Sequence, residues 1–533
     1  MSDAKQLAQV AARALVQTGS EVLFGIPGGG NNLEVIGAAE AEGMRFVLAH
    51  TETAAVQMAG VYSELTRIPT GCVVTRGPGA ASSINGVAQA FLDRQPVVIL
   101  TDAVPAKDVH RVAHQRLDQP ALFAPITKWS GVLGPGNAKE VMEHGIELAR
   151  TPRAGPVHLD FDPSATRQRP LPPSASRIGS LAALNARLAA AKKPVVVIGI
   201  GARDDSAAIR ALLRGTNIPV LQTYKAKGVI ADSSPNAAGI LTGATIEGPV
   251  LAAADAILTI GLDTVELIPN PWPYPAPLLS LNSWVEDSPY APSVVAVVGP
   301  LSELISGLTP LQDTWHADFA QDQRQSGLEK LLSGPVSGIG LAPWEVVRRV
   351  RAIAPTGSIA TVDAGAHMLV AMPLWTTENP GEVLISSGLA TMGFALPAAI
   401  AAAIARPGVR VFCLVGDGGL GMVLAELETV ARLNLPITIV VFNDSSLSLI
   451  KIKQQLAGHG GENAVSYRPT DFAKIADGCG VPSVRVTCVN ELDAATTQSL
   501  EMAGPMLLDV LVNPVGYVHV LEVIRGGLGY FGA

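Results

Sequence analysis

The chain has 533 residues, a net charge of −8, 48% hydrophobic residues and 16% charged ones. That length calls for two to four domains with well-buried cores. The acidic balance leaves no basic footprint for nucleic acid, and no apolar run of about 18 residues free of Gly, Pro and charge marks a membrane span.

The opening MSDAKQLAQVAARAL has the spacing of an amphipathic helix and lacks the apolar block of a secretory leader. The four cysteines, Cys72, Cys413, Cys479 and Cys488, show neither CxxC nor metal spacing. A reducing, cytoplasmic setting is expected.

A helix is predicted over 6–17 and a strand over 21–25, running into Ile26-Pro27-Gly28-Gly29-Gly30. A strand over 45–49 follows, then His50-Thr51-Glu52 and a helix over 53–65. A strand over 71–75 ends in Arg76-Gly77-Pro78-Gly79-Ala80; a helix then runs to Asp93, and strands cover 96–101 and 157–161. Strand, glycine turn and helix in repetition predict a doubly wound α/β domain over 1–165. Glycines at strand ends let a backbone approach a ligand, although a tight turn explains GIPGGG as well. Glu52 reads either as a helix-cap carboxylate favoured by the dipole or as a functional acid. Arg76 reads either as a carboxylate clamp or as a surface ion-pair partner.

Residues 163–180 are rich in Pro and Ser, a linker composition. A second α/β domain is predicted over 181–335, with strands at 194–200, 218–222 and 256–260. Its GIGARDD turn lacks the third spaced glycine of a dinucleotide fingerprint, which argues against a nicotinamide-dependent oxidoreductase.

The third α/β domain, 336–533, holds the most informative stretch. A strand over 358–362 ends in DAGAHM, and SSGLATMGFALPAAIAAAIA follows at 386–405. A buried strand over 411–415 breaks at Gly416-Asp417-Gly418-Gly419; helical spacing follows through Met422, Leu424, Leu427, Val430 and Leu433. Leu435-Pro436 stops it, and a strand over 437–442 ends in Asn443-Asp444. This is a βαβ crossover, with two carboxylates at adjacent strand tips, where α/β sheets bind ligands. Mg²⁺ takes carboxylate and carbonyl oxygens and keeps room for phosphate. Glycines and a helix start suit a phosphate. The pattern points to a metal–diphosphate site rather than to a turn with Asp as its cap.

GDGG followed by ND, the HTETAAVQMAGVYS segment and GLATMGFALP together resemble the thiamine-diphosphate (ThDP) enzymes, most of all the acetolactate-synthase-like branch within the acetolactate synthase, pyruvate oxidase and benzoylformate decarboxylase superfamily. The resemblance spans the whole chain and implies pyrimidine-binding, central and diphosphate-binding domains in that order. It implies that Asp417 and Asp444 ligate Mg²⁺ with the Ser446 carbonyl. The family's commoner residue at position 444 is Asn, so Asp444 leaves the preferred metal open. It implies cofactor contacts from Pro27, Gly28 and Gly29, from Gly365, Ala366 and His367, and from Gly416, Gly418, Gly419 and Leu447. Met392 falls where a bulky apolar residue bends the cofactor, and the Ala390 carbonyl where the 4′-amino group is accepted; core filling is the other reading of Met392. Glu52 falls on the acid that hydrogen-bonds the aminopyrimidine and starts catalysis. Gly29, Arg76, His114 and Gln115 fall on the substrate side.

The implied reaction is decarboxylation of a 2-oxo acid followed by carboligation, the cofactor acting as nucleophile and electron sink. The alternative is a simple 2-oxo acid decarboxylase of the benzoylformate type, whose His pair this chain lacks, Arg76 standing at one such position. Where FAD-using relatives carry an RFDDR-type stretch, this chain reads GLDTVELIPNPWPY, so FAD is not expected. The family's sites lie between subunits, which implies a homodimer or dimer of dimers. The tail at 516–533 is either a lid or a frayed end.

Overall fold

A computed structural model describes residues 3–105, 108, 112–165, 179–268, 272–286, 288, 290–335, 338–458 and 460–526. Most of the expected linker (166–178) and the end of the tail (527–533) lie outside the described residues. By packing, the chain forms two compact units. One comprises Met1–Pro173, Gly388–Gly408 and Val423–Ile437; the other comprises Ser174–Ser387, Val409–Met422 and Thr438–Ala533.

The first unit is built on one parallel sheet. Its strands are β1 (Val22–Gly25), β2 (Arg45–Leu48), β3 (Thr70–Val74), β4 (Val97–Asp102), β5 (Ser130–Leu133) and β6 (Val157–Phe161), in the order β2-β1-β3-β4-β6-β5. β3, β4 and β6 are buried along their whole length, which is why they read as nearly unbroken apolar runs. The helix Glu52–Thr66 packs on β3, on the helix Pro78–Leu92 and on Ala395–Ala405 from the distant part of the sequence. The contact faces are alanine-rich, so helices can approach closely and fill the space densely.

The second unit holds two further parallel sheets. β7 (Pro194–Ile198), β8 (Val220–Gln222), β9 (Ala237–Ile240), β10 (Ala256–Ile260), β11 (Leu278–Asn282) and β12 (Ser293–Val298) are ordered β12-β11-β10-β7-β8-β9. β13 (Ile359–Val362), β14 (Val383–Ile385), β15 (Val411–Gly416), β16 (Ile437–Asn443), β17 (Ser483–Val486) and β18 (Met506–Leu511) are ordered β14-β13-β15-β16-β18-β17. The doubly wound α/β expectation holds in all three sheets. In each, strand order reverses near the middle, the position at whose carboxyl ends α/β sheets place their ligand crevices.

Two local expectations change. The helix expected across 422–433 is two helices, Asp417–Met422 and Glu426–Leu433. Helical backbone therefore begins at Asp417 itself, and the glycine-rich first helix ends at Met422, which is 57% exposed. The strand expected over 194–200 stops at Ile198, where a 3₁₀ turn, Ile200–Asp205, takes over.

Candidate active site

At the tips of β15 and β16 two carboxylates are laced into the backbone. Asp417 Oδ1 accepts the Gly418 amide (2.6 Å), and Oδ2 accepts those of Asp444 (3.2 Å) and Ser445 (2.5 Å). Asp444 Oδ1 accepts the Ser446 amide (3.1 Å), and Oδ2 the Ser448 hydroxyl (2.5 Å). Ser445 turns the chain with φ 57°, in the left-handed region. Burial, with the Asp417 charge alongside, pushes the Asp444 carboxyl up to about 7, and burial raises Asp417 too.

Like charges held together away from water are costly unless a cation joins them. The pair fits a divalent ion for that reason. Among the described residues no three His, Cys, Asp or Glu side chains gather to hold a metal. An ion here would therefore complete its shell with backbone or phosphate oxygens, as Mg²⁺ does. The Ser446 hydroxyl is donated to the Val465 carbonyl (3.0 Å). Leu447 donates its amide to the same Val465 carbonyl (2.7 Å) and opens the helix Ser448–Leu456.

His367 stands beside this loop at the start of the helix Ala366–Leu374. Its ring stacks on Phe442 (centroids 5.1 Å apart) and is buried, which lowers its pKa to about 4 and keeps it neutral. A Cβ on Gly365 would lie 2.8 Å from this ring and one on Gly416 3.3 Å from it. A Cβ on Gly419 would run into Asp363. Nε2 of His367 is buried with no hydrogen-bond partner, an imbalance that a ligand oxygen would correct. Gly365, Ala366, His367, Gly416, Asp417, Gly418 and Gly419 thus share one rim within the second unit.

The first unit carries the other expected residues. Glu52 is the first residue of its helix, but the cap is Thr51, whose side chain accepts the Ala54 amide (3.1 Å). The half-buried Glu52 carboxylate makes no hydrogen bond among the described residues, and a Cβ on Gly79 would lie 3.3 Å from its Oε1. Thr51, not Glu52, supplies the side-chain cap, and Glu52 stands in the first turn, where the helix dipole favours an acid.

The turn before Glu52 is fixed by a residue that sequence reasoning missed. Glu426, fully buried, accepts the amides of His50 (2.9 Å) and Thr51 (3.2 Å) on one oxygen and the Thr429 hydroxyl (2.8 Å) on the other. His50 also pairs with Glu428 (2.8 Å), and Arg432 donates to the Leu48 carbonyl (2.8 Å). Glu, Glu and Arg on a helix look like an ordinary solvated face, but Glu426 shares the inward face with Thr429 and Val430, three and four residues on, and that spacing is the signal that could have found it.

Beyond β1, Gly28 packs on the Thr75 side chain, Gly30 on the Asp102 carboxyl, and the Cβ position of Gly29 faces open space; Pro27 is exposed. The Asp102 carboxyl is buried, with the Asn31 and Asn32 amides beside it. Burial, opposed by the Arg76 charge, pushes Asp102 up to about 6. Arg76 and Gln115 line a cavity of about 330 Å³ with Arg116, Asp118, Gln119 and Asp160. His114 is exposed and outside that lining. Ala390 adopts left-handed φ 53°, and Met392 is half-buried, in the turn before Ala395–Ala405.

The rim of the central sheet is closed. Glu266 accepts the Ile200 amide (2.9 Å) and the Thr223 hydroxyl (2.6 Å), and a Cβ on Gly201 would lie 2.6 Å from the Trp284 ring. Burial pushes Glu266 up to about 7.

Three segments match family descriptions: "Thiamine pyrophosphate enzyme, N-terminal TPP binding domain" over 5–122, the central domain over 181–305, and the "C-terminal TPP binding domain" over 363–510. The chain belongs to the thiamine pyrophosphate enzymes. The relatives it resembles include the acetolactate synthase of Bacillus subtilis (strain 168), 29% identical over 95% of this chain and 93% of that protein. They also include the acetolactate synthase isozyme 1 large subunit of Escherichia coli (strain K12), 28% identical over 94% and 92%. In fold, this thiamine pyrophosphate enzyme is similar to the ThDP-dependent 4-hydroxybenzoylformate decarboxylase of Rhodococcus jostii RHA1, with TM-score 0.79 and 22% identity over 95% of this chain and 99% of the other. Among the described residues no helix is long and apolar enough to cross a membrane.

Proposed function

We propose that the protein is a ThDP- and Mg²⁺-dependent enzyme that decarboxylates a 2-oxo acid and joins the product to a second carbonyl, as an acetolactate-synthase-like carboligase. The observation that carries this reading is the Asp417–Asp444 pair, one buried and one half-buried carboxylate on adjacent strand tips, each raised by burial and Asp444 also by the Asp417 charge. Asp417, Asp444 and the Ser446 carbonyl would hold Mg²⁺. The amide-rich Gly416–Gly419 turn, Leu447 and the His367 Nε2 would receive the diphosphate. Bound ThDP supplies a nucleophilic carbon and an electron sink for the carboxylate's departure.

The chain's own residues do the rest. Glu52, with a carboxylate unspent on capping, would hold and move a proton at the aminopyrimidine nitrogen. Pro27, Gly28 and Gly29 would give the ring close backbone approach, and Met392 would support it from below. The left-handed turn at Ala390 would aim its carbonyl at the exocyclic amine; holding a non-glycine residue there costs about 1 kcal/mol. His114 and Gln115 would belong to the substrate side. The domain bounds proposed are 1–165, 181–335 and 336–533. A homodimer or dimer of dimers in the cytoplasm, as the family resemblance implies, is the proposed assembly. The closed rim at Glu266 and Trp284 supports a central domain without flavin.

Incubation with Mg²⁺, ThDP and a panel of 2-oxo acids tests this, with CO₂ and acyloins followed separately. CO₂ with acyloin supports carboligation, CO₂ with aldehyde alone supports the simple decarboxylase, and no turnover with any acid overturns both.

A further inference from the structure

The first unit's cavity has a charge that its surroundings do not use. The cavity lies at the tips of β3, β4 and β6, between the Arg76 turn, Ala103-Val104 and the loop at 115–119. Gln119 braces it from below, accepting the Gly77 amide (2.9 Å) and donating to the Asp102 carbonyl (2.9 Å) and to Asp160 (2.5 Å). Gln115 forms a wall in the left-handed region, φ 56°, with its carbonyl 2.7 Å from where a Cβ on Gly77 would stand. Strained backbone at a cavity mouth persists where the surroundings enforce it.

Two acids, Asp118 and Asp160, and two guanidinium groups, Arg76 and Arg116, line the cavity, and each acid is tied down through its Oδ1. Asp160 accepts from Thr101 and Gln119, and Asp118 caps the helix Gln119–Phe123 through the Ala121 amide (3.0 Å). Asp102 feels the Arg76 charge but does not line the cavity. Arg76 is half-buried, and its one hydrogen bond among the described residues, to the Ala103 carbonyl, is 3.5 Å long. That is the outer limit for such a bond, so most of its five donors are unspent. The cavity is open to solvent at the exposed 115–118 loop, and a half-buried fork of donors at its floor is matched by a carboxylate-like anion.

The chemistry says which anion. In decarboxylation the reacting carboxylate loses its charge as CO₂ leaves. A cation gripping that group would stabilise the ground state more than the transition state and would slow the step. A guanidinium is better used on an anion that persists through the reaction. Building on the 2-oxo acid reading above, we infer that Arg76 and Gln115 receive a second, distal anionic group, so that the preferred substrate is a dianionic 2-oxo acid. The cavity volume of about 330 Å³ accommodates a distal carboxylate, phosphonate or sulfonate on a short chain.

The test uses the full-length protein with Mg²⁺ and ThDP. Oxaloacetate, 2-oxoglutarate, phosphonopyruvate and sulfopyruvate are compared with pyruvate and 2-oxobutyrate, and the first four separate the three kinds of anion. The expected kcat/KM is about 100-fold higher for at least one dianion, and Arg76→Gln removes that preference mainly through KM. Arg76→Lys restores part of it. Glutarate, which cannot be decarboxylated this way, provides a readout without turnover: its calorimetric Kd rises about 100-fold in Arg76→Gln. A preference for pyruvate, or a dianion preference unchanged in Arg76→Gln, overturns the inference while leaving the 2-oxo acid reading intact. No turnover of any 2-oxo acid overturns that reading and this one together. Glutarate affinity unaltered by Arg76→Gln overturns the Arg76 assignment alone.

Discussion

At the tip of β7 the Ile200 amide is taken by Glu266 (2.9 Å); at the tip of β15 the Gly418 amide is taken by Asp417 (2.6 Å). Both sheets are parallel and both strands run into glycines, so the local devices match. Their surroundings differ. In the central sheet both carboxylate oxygens are spent and Trp284 crowds Gly201. In the third sheet the carboxylate has a like-charged neighbour, and a buried imidazole nitrogen stands without a partner. A glycine-rich strand end therefore says little by itself about ligand binding. Surplus polarity, buried and uncompensated, distinguishes a rim awaiting a ligand from a rim that is merely packed.

Substitutions can break or sharpen that contrast. The largest effect is expected at the acid the first unit holds ready: Glu52→Gln should lose about 10³-fold in kcat, while calorimetric ThDP affinity stays within about tenfold. A fully active variant would remove Glu52 from the reaction. In the third sheet, Asp444→Ala should weaken Mg²⁺-dependent ThDP binding by about 100-fold; unchanged affinity would mean that this rim is packed like the central one.

The same carboxyl sets a pH dependence. Asp444 is raised to about 7, above the ordinary carboxylate range. Its contribution to folding is fully present below that range and is lost as pH rises through about 7. Metal binding requires the ionised form. Mg²⁺ affinity measured by calorimetry should therefore climb between pH 5.5 and 7 by at most about tenfold per unit, then level off. A flat profile would count against Asp444 as a ligand.

Glu426→Ala leaves two buried amides unpaired and should cost about 1–3 kcal/mol in stability and about tenfold in kcat. Glu426→Gln keeps an acceptor and should recover most of both, with the near-ultraviolet circular dichroism of the bound cofactor returning alongside. Equal damage from Ala and Gln would assign the effect to charge rather than to holding the turn. The smallest effect belongs to the closed rim. Glu266, raised to about 7, loses its contribution to folding as pH rises through that value. Glu266→Gln should change stability by less than about 1 kcal/mol at pH 6, gain slightly at pH 8, and leave turnover untouched; a large loss of activity would give the central rim a role in catalysis.

Sequence reasoning reached the sheets because central parallel strands are buried on both faces and read as apolar runs, as in Val97–Asp102 and Val411–Gly416. It reached Asp417 and Asp444 because both sit at strand ends beside turn residues. It did not reach Glu426, whose partners His50 and Thr51 lie 376 and 375 residues away. It missed Asp102, Gln119 and Asp363 for the same reason: a polar residue at a strand end or before a short helix is common, and its burial depends on chain segments far off in sequence. Glu52 shows the opposite case. The residues alone favour a helix-start acid, the family resemblance favours a functional one, and the structure adds that the side-chain cap comes from Thr51.

The bonds from Glu426 run to main-chain amides and not to side chains. Any non-proline residue at position 50 could donate its amide, and at position 51 any that also keeps the cap on Ala54, so the acceptor constrains the turn more tightly than its donors do. Exchanging segments between this chain and a homologue would therefore succeed or fail on whether the piece bearing the GDGG turn brings its own acid nine residues downstream of Asp417. At position 51 the recipient would also need a residue able to cap the Glu52 helix.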